Sequence, residues 1–132
     1  MGCDTCLVGA AALLLAGING CAPAYPVFKT TVTGNTIEVP LPLFDLHPMQ
    51  VVRPKGWQYD IAVQKNADGT FTALLMQCTH LDNQLAPSQN GYHCSLHGSR
   101  FNKAGKVIKG PAEAPLKSYP TSTANNHLLI SI

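Results

Sequence analysis

The residues with the clearest chemistry in this chain are two cysteine–histidine pairs. Cys78 and His80 are separated by one residue, and Cys94 and His97 are separated by two. The two pairs stand on either side of residues 81–93. Thiolate and imidazole are good ligands for soft and borderline metals, so two such pairs on neighbouring loops could enclose one compact metal centre.

The order of these ligands bears on the kind of metal. Zinc sites with two cysteines and two histidines usually take the cysteines from one loop and the histidines from another. Here each loop carries one of each, which suits a two-iron cluster in which one iron takes both thiolates and the other takes both imidazoles. Two alternatives stay open: a zinc site, or a disulfide between the cysteines beside two unrelated histidines.

The pairs and their surroundings resemble the Rieske [2Fe–2S] family, whose pattern is C-x-H followed by C-x-x-H-G-S. The chain reads CTHL and CSLHGSRF at these places, and the stretch Gly110–Leu116 is similar to the family's proline loop. The likeness covers about residues 35–132. It implies a [2Fe–2S] cofactor and one-electron transfer rather than catalysis by the chain alone. The implied cluster ligands are Cys78, His80, Cys94 and His97.

Residues near the pairs bear on the reduction potential that the resemblance implies. Two imidazoles in place of two thiolates leave the oxidised centre neutral instead of doubly negative, and family potentials reach roughly −150 to +300 mV. Ser99 matches a family serine that can donate a hydrogen bond to a bridging sulfide, and so is expected to contact the cofactor. Phe101 stands where high-potential members have a tyrosine, and Asn83 and Leu96 stand where quinol-type members have a cysteine bridge. An intermediate potential is therefore expected.

The chain around the pairs is typical of short strands joined by turns. The whole chain contains eleven glycines and ten prolines, and no stretch after Ala22 keeps a helical period. Asp68–Gly69 between two apolar runs predicts a hairpin that leads into the first pair. We predict an all-β domain of about eight to ten strands, a small antiparallel barrel or sandwich with a subdomain of two ligand loops. Strands are predicted at 29–33, 36–41, 57–64, 71–77, 91–93, 106–108, 116–121 and 127–132.

The first residues differ from the rest. The apolar run Leu7–Ile18 is too short to cross a bilayer and fits a secretory leader, although no Lys or Arg precedes it. Gly20 and Cys21 after the run resemble a bacterial lipobox, which predicts lipidation of Cys21. A signal anchor, a cleaved signal and a short core helix are the alternatives. Cys3 and Cys6 form a CxxC that would be lost with a leader.

The chain accordingly divides into three predicted segments. Residues 1–20 are a leader with a short apolar helix, residues 21–34 are a linker and first strand, and residues 35–132 are the Rieske domain. At this length the chain has room for one domain and no more.

Charged residues are sparse. They make up 12% of the chain, with a net charge of +2 and no basic block, which excludes a nucleic-acid binder. Four cations with no acid among them follow the second pair: Arg100, Lys103, Lys106 and Lys109. They form either an ordinary solvated hairpin or a docking surface for an acidic redox partner. The other histidines, His47, His93 and His127, are predicted to be structural, and Trp57 is predicted to open a strand in the core.

These observations predict an electron carrier on the periplasmic side of a bacterial membrane, tethered to the membrane surface and serving a respiratory or oxidoreductase chain. Its partners would be a redox-protein donor and acceptor. A subunit of a quinol:cytochrome c reductase, with quinol as a further partner, and a ferredoxin for a ring-hydroxylating dioxygenase are alternatives within the family. A zinc-bound interaction module is the alternative outside it.

Overall fold

The structure is a computed structural model, and it describes residues 25–132. This part contains twelve short strands and a single turn of helix. The elements are β1 (Val27–Thr30), β2 (Thr36–Pro40), α1 (Leu43–Leu46), β3 (Met49–Pro54), β4 (Ile61–Lys65), β5 (Phe71–Leu75), β6 (Ala86–Ser88), β7 (Gly91–His93), β8 (Arg100–Asn102), β9 (Val107–Lys109), β10 (Ser118–Tyr119), β11 (Thr121–Ala124) and β12 (His127–Ser131).

The strands form three small sheets. The largest has the order β1-β3-β4-β5-β10, and the other two have the orders β11-β12-β2 and β6-β7-β8-β9. Neighbouring strands are antiparallel, except that β1 and β3 run parallel. The predicted all-β class is confirmed, with more and shorter strands than expected.

Side chains of the five-stranded sheet alternate between two hydrophobic clusters, as a period of two requires. In β4, Ala62 belongs to the first cluster, whereas Ile61 and Val63 belong to the second. The second cluster also takes side chains from β2 and β12, so it fills the space between two sheets. The first cluster includes Cys78 and Cys94. The sheet is thus covered on both faces, and one of its faces supports the cysteine–histidine pairs.

Strand β3 was not predicted, and its double burial explains why. Met49, Gln50, Val51 and Val52 are all buried, so their sequence lacks the alternation of a half-exposed strand. Gln50 is compatible with this position because its side-chain amide donates hydrogen bonds to the backbone oxygens of α1 and the residue after it, at 2.8 and 3.1 Å.

The predicted hairpin before the first pair is confirmed. Strands β4 and β5 pair along their whole length, and the turn closes with a 3.0 Å bond from Gly69 N to Asn66 O. The carboxylate of Asp68 accepts hydrogen bonds from the hydroxyl and the backbone N–H of Thr70. These bonds hold the pKa of Asp68 below its usual value, and the bond from the Thr70 hydroxyl has the larger effect. The turn therefore stabilises itself and fixes the register of the strand that leads to Cys78.

Several predicted boundaries were wrong. Trp57 does not open a strand or lie fully in the core: it is half-buried in the turn before β4. Pro120 divides the predicted strand 116–121 into β10 and β11, because proline has no N–H to donate. Strand β1 begins at Val27, inside the stretch predicted as linker. Strands β6 and β8 were also missed. The predicted leader helix, Cys3, Cys6 and Cys21 lie outside the described residues.

Candidate metal centre

The first cysteine–histidine pair lies on a narrow loop at the end of β5. Gln77 pairs with Gln84 at the base of the loop, and the Cys78 N–H donates to Asn83 O at 2.9 Å. Cys78 is 1% exposed, while His80 at the tip is exposed to solvent. Because the loop closes on itself, the thiol points into the protein and the imidazole stays outside.

The second pair lies on the connection between β7 and β8. The Cys94 N–H donates to Ser99 O at 2.9 Å, and the Gly98 N–H donates to Cys94 O at 3.1 Å. Gly98 has a φ of +82°, in the left-handed region that side chains disfavour, which gives a physical reason for glycine after His97. As in the first loop, Cys94 is buried and His97 is exposed.

The structure brings the two pairs together. The Cys78 thiol hydrogen-bonds to Cys94, and both belong to one buried cluster. The imidazoles of His80 and His97 lie edge to face, with their ring centroids 5.2 Å apart. Among residues 25–132, no three His, Cys, Asp or Glu side chains gather as a single metal ion would need. The four side chains are arranged as a buried pair of thiols and an exposed pair of imidazoles.

The surroundings of Cys94 favour the thiolate form of its side chain. Burial raises the pKa of the Cys94 thiol, but hydrogen bonds to its sulfur outweigh that effect and the pKa is lowered overall. The Leu96 N–H contributes most among these bonds, followed by the Asn83 amide, whose Nδ2 lies 3.5 Å from the sulfur. A metal binds the deprotonated sulfur, so this environment favours metal binding.

A third segment, the loop Gly110–Leu116, covers the centre. The Ala112 N–H donates to Ser99 Oγ at 3.0 Å, and Thr79 Oγ1 donates to Ala114 O at 2.6 Å. One bond therefore ties the loop to each of the two ligand loops. Ser99 is 1% exposed and uses its oxygen as an acceptor, which leaves its O–H free to donate.

Comparison with known proteins identifies the fold and the cofactor. The family model of the Rieske [2Fe-2S] domain matches residues 41–120. The chain belongs to the Rieske [2Fe–2S] family. It is therefore a Rieske electron carrier with a [2Fe–2S] cluster, as predicted, and the zinc alternative is wrong. Two thiols and two imidazoles in the observed pairs fit such a cluster.

Two relatives are subunits of cytochrome complexes. The chain is 32% identical over 74 residues to the cytochrome b6-f complex iron-sulfur subunit of Chlorobaculum thiosulfatiphilum, covering 54% of this chain and 41% of that one. It is 38% identical over 60 residues to the cytochrome b6-f complex iron-sulfur subunit 3 of Nostoc sp. PCC 7120, covering 44% and 34%. The chain thus spans less than half the length of these relatives.

A solved Rieske structure superposes on the described fold. The cyanobacterial plasma membrane Rieske protein PetC3 from Synechocystis PCC 6803 gives a TM-score of 0.62 at 25% identity, covering 73% of this chain and 99% of that one. Within residues 25–132, no helix has the length and apolar character that a membrane crossing requires.

The residues that depart from the high-potential Rieske pattern have clear positions. Phe101 is fully buried beneath the ligand loops, where it brings no hydroxyl. Asn83 donates a hydrogen bond from its amide to Cys94 of the second loop, so this position still joins the two loops, whereas Leu96 is 53% exposed. Both cysteines of the described part are free.

The other histidines lie apart from the ligand pairs. His47 Nδ1 lies 2.8 Å from Met49 O, and His127 Nδ1 lies 2.9 Å from Asn125 O, so each fastens a local turn. His93 is half-buried in β7, between Ala86 and Arg100 of the adjacent strands. These placements agree with the structural roles predicted for them.

Two contributors to the site were missed by the sequence reasoning. Thr79, between the first cysteine and histidine, ties the covering loop down, and Asn83 donates to the Cys94 sulfur. The position of Thr79 between Cys78 and His80 was a usable signal, because a side chain inside the motif lies close to the site. The role of Asn83 depends on the approach of the second loop and left no local signal.

The free hydroxyl of Ser99 leads to a prediction. A donor close to the cysteines stabilises the more negative, reduced centre, so Ser99→Ala should lower the midpoint potential. We expect a decrease of about 40 mV, the one-electron equivalent of a hydrogen bond of about 1 kcal/mol. Square-wave voltammetry at matched iron content measures it. Ser95→Ala, an exposed serine of the same loop, is the control and should leave the potential unchanged. An equal potential in both variants would contradict a tuning role for Ser99.

Proposed function

We propose that Cys78 and Cys94 hold one iron of the Rieske cluster and that His80 and His97 hold the other. The observation that carries this proposal is the buried pair of thiols beside an exposed pair of imidazoles. When bound, the cluster accepts and releases one electron at a time. The protein residues bind the cluster, exclude water from the cysteine side and present the histidine side to a partner.

The arrangement supports a defined direction for the electron. The cysteine side is enclosed by the first hydrophobic cluster, which separates it from solvent. His80 and His97 are exposed, and Leu81 and Leu96 beside them are 50% and 53% exposed. Apolar side chains beside two exposed imidazoles suit contact with another protein, because burying apolar surface releases water and is favourable. We assign the histidine edge as the place where electrons enter and leave.

The ligand assignment is tested by spectroscopy of the reduced protein. We expect an EPR signal with an average g below the free-electron value and a midpoint inside the family's range of roughly −150 to +300 mV, below its upper end because Phe101 supplies no hydroxyl. His80→Cys should keep a two-iron cluster but shift the potential well below that range, since a thiolate adds negative charge. The control is His93→Cys, which should leave both readings unchanged. A midpoint at the top of the range would contradict the assigned role of Phe101.

We propose further that the partner is an acidic redox protein. The cations Arg100, Lys103, Lys106 and Lys109 are all exposed on the hairpin that follows the second ligand loop. No Asp or Glu occurs between Asp82 and Glu113. The salt bridge found within residues 25–132 joins Arg53 and Asp60, so none of the four cations is paired. Unpaired charge of one sign on the hairpin that follows the second ligand loop speeds the encounter with a partner of opposite charge.

Small charged oxidants test this basic surface without a known partner. Lys106→Gln with Lys109→Gln should slow oxidation by the anion ferricyanide about threefold to tenfold at low salt, and should speed oxidation by a cationic cobalt phenanthroline complex. Stopped-flow absorbance at several ionic strengths measures both. Lys65→Gln with Lys117→Gln makes the same change in net charge elsewhere and is the matched control. If both double variants change the two oxidation rates equally, the four cations belong to an ordinary solvated hairpin and do not form a docking surface.

The tether is the remaining part of the proposal. We infer that residues 1–20 are a leader, that Cys21 carries a lipid, that 21–34 are a linker and first strand before the domain 35–132, and that the domain works on the periplasmic side of the membrane. The lipobox-like sequence before Cys21 supports this assignment. The b6-f relatives favour a second candidate, a subunit of a quinol-oxidising complex with quinol as a partner.

A single substitution tests the tether. Cys21→Ser should move the protein from the membrane fraction to the soluble fraction, because stable attachment to a bilayer requires the acyl chains. Mass spectrometry of the mature protein should find residue 21 at its N-terminus, modified in the wild type. Cys6→Ser is the control and should stay with the membrane. An unprocessed N-terminus would contradict the lipid tether, and copurification with a cytochrome b subunit would favour the quinol-oxidising complex.

A further inference from the structure

A second feature of the protein lies away from the cysteine–histidine pairs. The ends of β1 and β3 and the turn after β3 line an open cleft of about 680 Å³. This volume is within the range of small-molecule sites, roughly 300–1,000 Å³. Its lining includes Lys29, Arg53, Lys55 and the aromatic ring of Trp57.

The parallel pairing of β1 and β3 brings these cations together. Lys29 lies directly opposite Arg53 in the register of the two strands. Lys55 comes just after β3, and its backbone N–H donates to Thr30 O at 2.8 Å. Like charges directly opposite one another destabilise a sheet. Repulsion between these cations is reduced wherever an anionic group lies near them.

One carboxylate partly compensates this charge and orients it. Asp60 accepts two hydrogen bonds from Arg53, at Nε and Nη2, at 2.8 and 2.9 Å. This bidentate geometry fixes the plane of the guanidinium and leaves its remaining N–H groups free. Among the described residues that line the cleft, none is acidic. Three cations against one carboxylate leave the cleft with a charge of about +2.

The other residues that line the cleft also suit an anionic ligand. The hydroxyls of Thr30 and Thr31 can donate or accept hydrogen bonds, and Trp57 and Pro54 supply an apolar side. A phosphate ester carries about −1 to −2 charges and several acceptor oxygens, and its organic part can lie against an aromatic ring. A free guanidinium edge with two flanking ammonium groups is a suitable donor set for that group.

The geometry points to a binding site for a phosphate ester with an apolar portion, held by Lys29, Arg53 and Lys55 against Trp57. A phospholipid headgroup and a soluble phosphorylated molecule share this chemistry. The site is independent of the cluster and of the fate of Cys21, so the electron-transfer assignment does not depend on it.

The test uses the full-length Cys21→Ser chain, so that no acyl anchor contributes. Sedimentation with phosphatidylcholine vesicles, with and without phosphatidylglycerol, tests the lipid source. Titration with inorganic phosphate tests the soluble source, and the emission of Trp57, which is the only tryptophan of the chain, reports it. Lys29→Gln with Lys55→Gln removes two exposed cations, and Lys65→Gln with Lys117→Gln is the control of equal charge.

A phosphate site predicts a difference between the two double variants. The Lys29/Lys55 variant should lose about 30-fold in affinity for the anionic vesicles, about fivefold for each lysine, and the control much less. A Trp57 response to inorganic phosphate that the Lys29/Lys55 variant alone loses would support a soluble ligand. Equal losses in both variants, or no binding of either probe by the parent chain, would overturn the proposal.

Discussion

The protein depends on one constraint: two thiols from two separate loops must be buried side by side while the histidines next to them stay in solvent. Each loop meets it in the same way. A backbone hydrogen bond from the cysteine N–H closes the loop, to Asn83 O in one and to Ser99 O in the other. The closed loop turns the cysteine inward and the histidine outward, so each loop supplies one thiol to the buried side and one imidazole to the exposed side.

Burying two thiols next to each other has an electrostatic cost that the surroundings reduce. Desolvation disfavours a thiolate, and it is the largest single effect on Cys94. Four hydrogen bonds to the sulfur reverse it, from the N–H groups of Leu96 and His97, the Asn83 amide and the Cys78 thiol. These donors sit on both ligand loops, so the chemistry of one cysteine depends on the correct placement of the other loop.

The five-stranded sheet supplies the rigidity that this placement needs. Its first face contributes Val51, Ala62 and Leu74 to the cluster that contains both cysteines, and its second face packs on the sheet formed by β2, β11 and β12. Covering both faces leaves the loops little freedom to separate. The covering loop 110–116 adds one bond to each ligand loop, through Ser99 and Thr79, where other members of the family use a disulfide.

The candidate cysteine–histidine pairs, the family and the hairpin at Asp68–Gly69 could be predicted from the sequence, because these depend on residue type and on spacing over a few positions. Burial of a strand on both faces depends on which other strands and sheets pack against it, and β3 was missed for that reason. The tertiary structure also places Asn83 beside Cys94 and Lys29 opposite Arg53. Those contacts join residues distant in the chain, and no local pattern records which strands become neighbours when both faces of a sheet are covered.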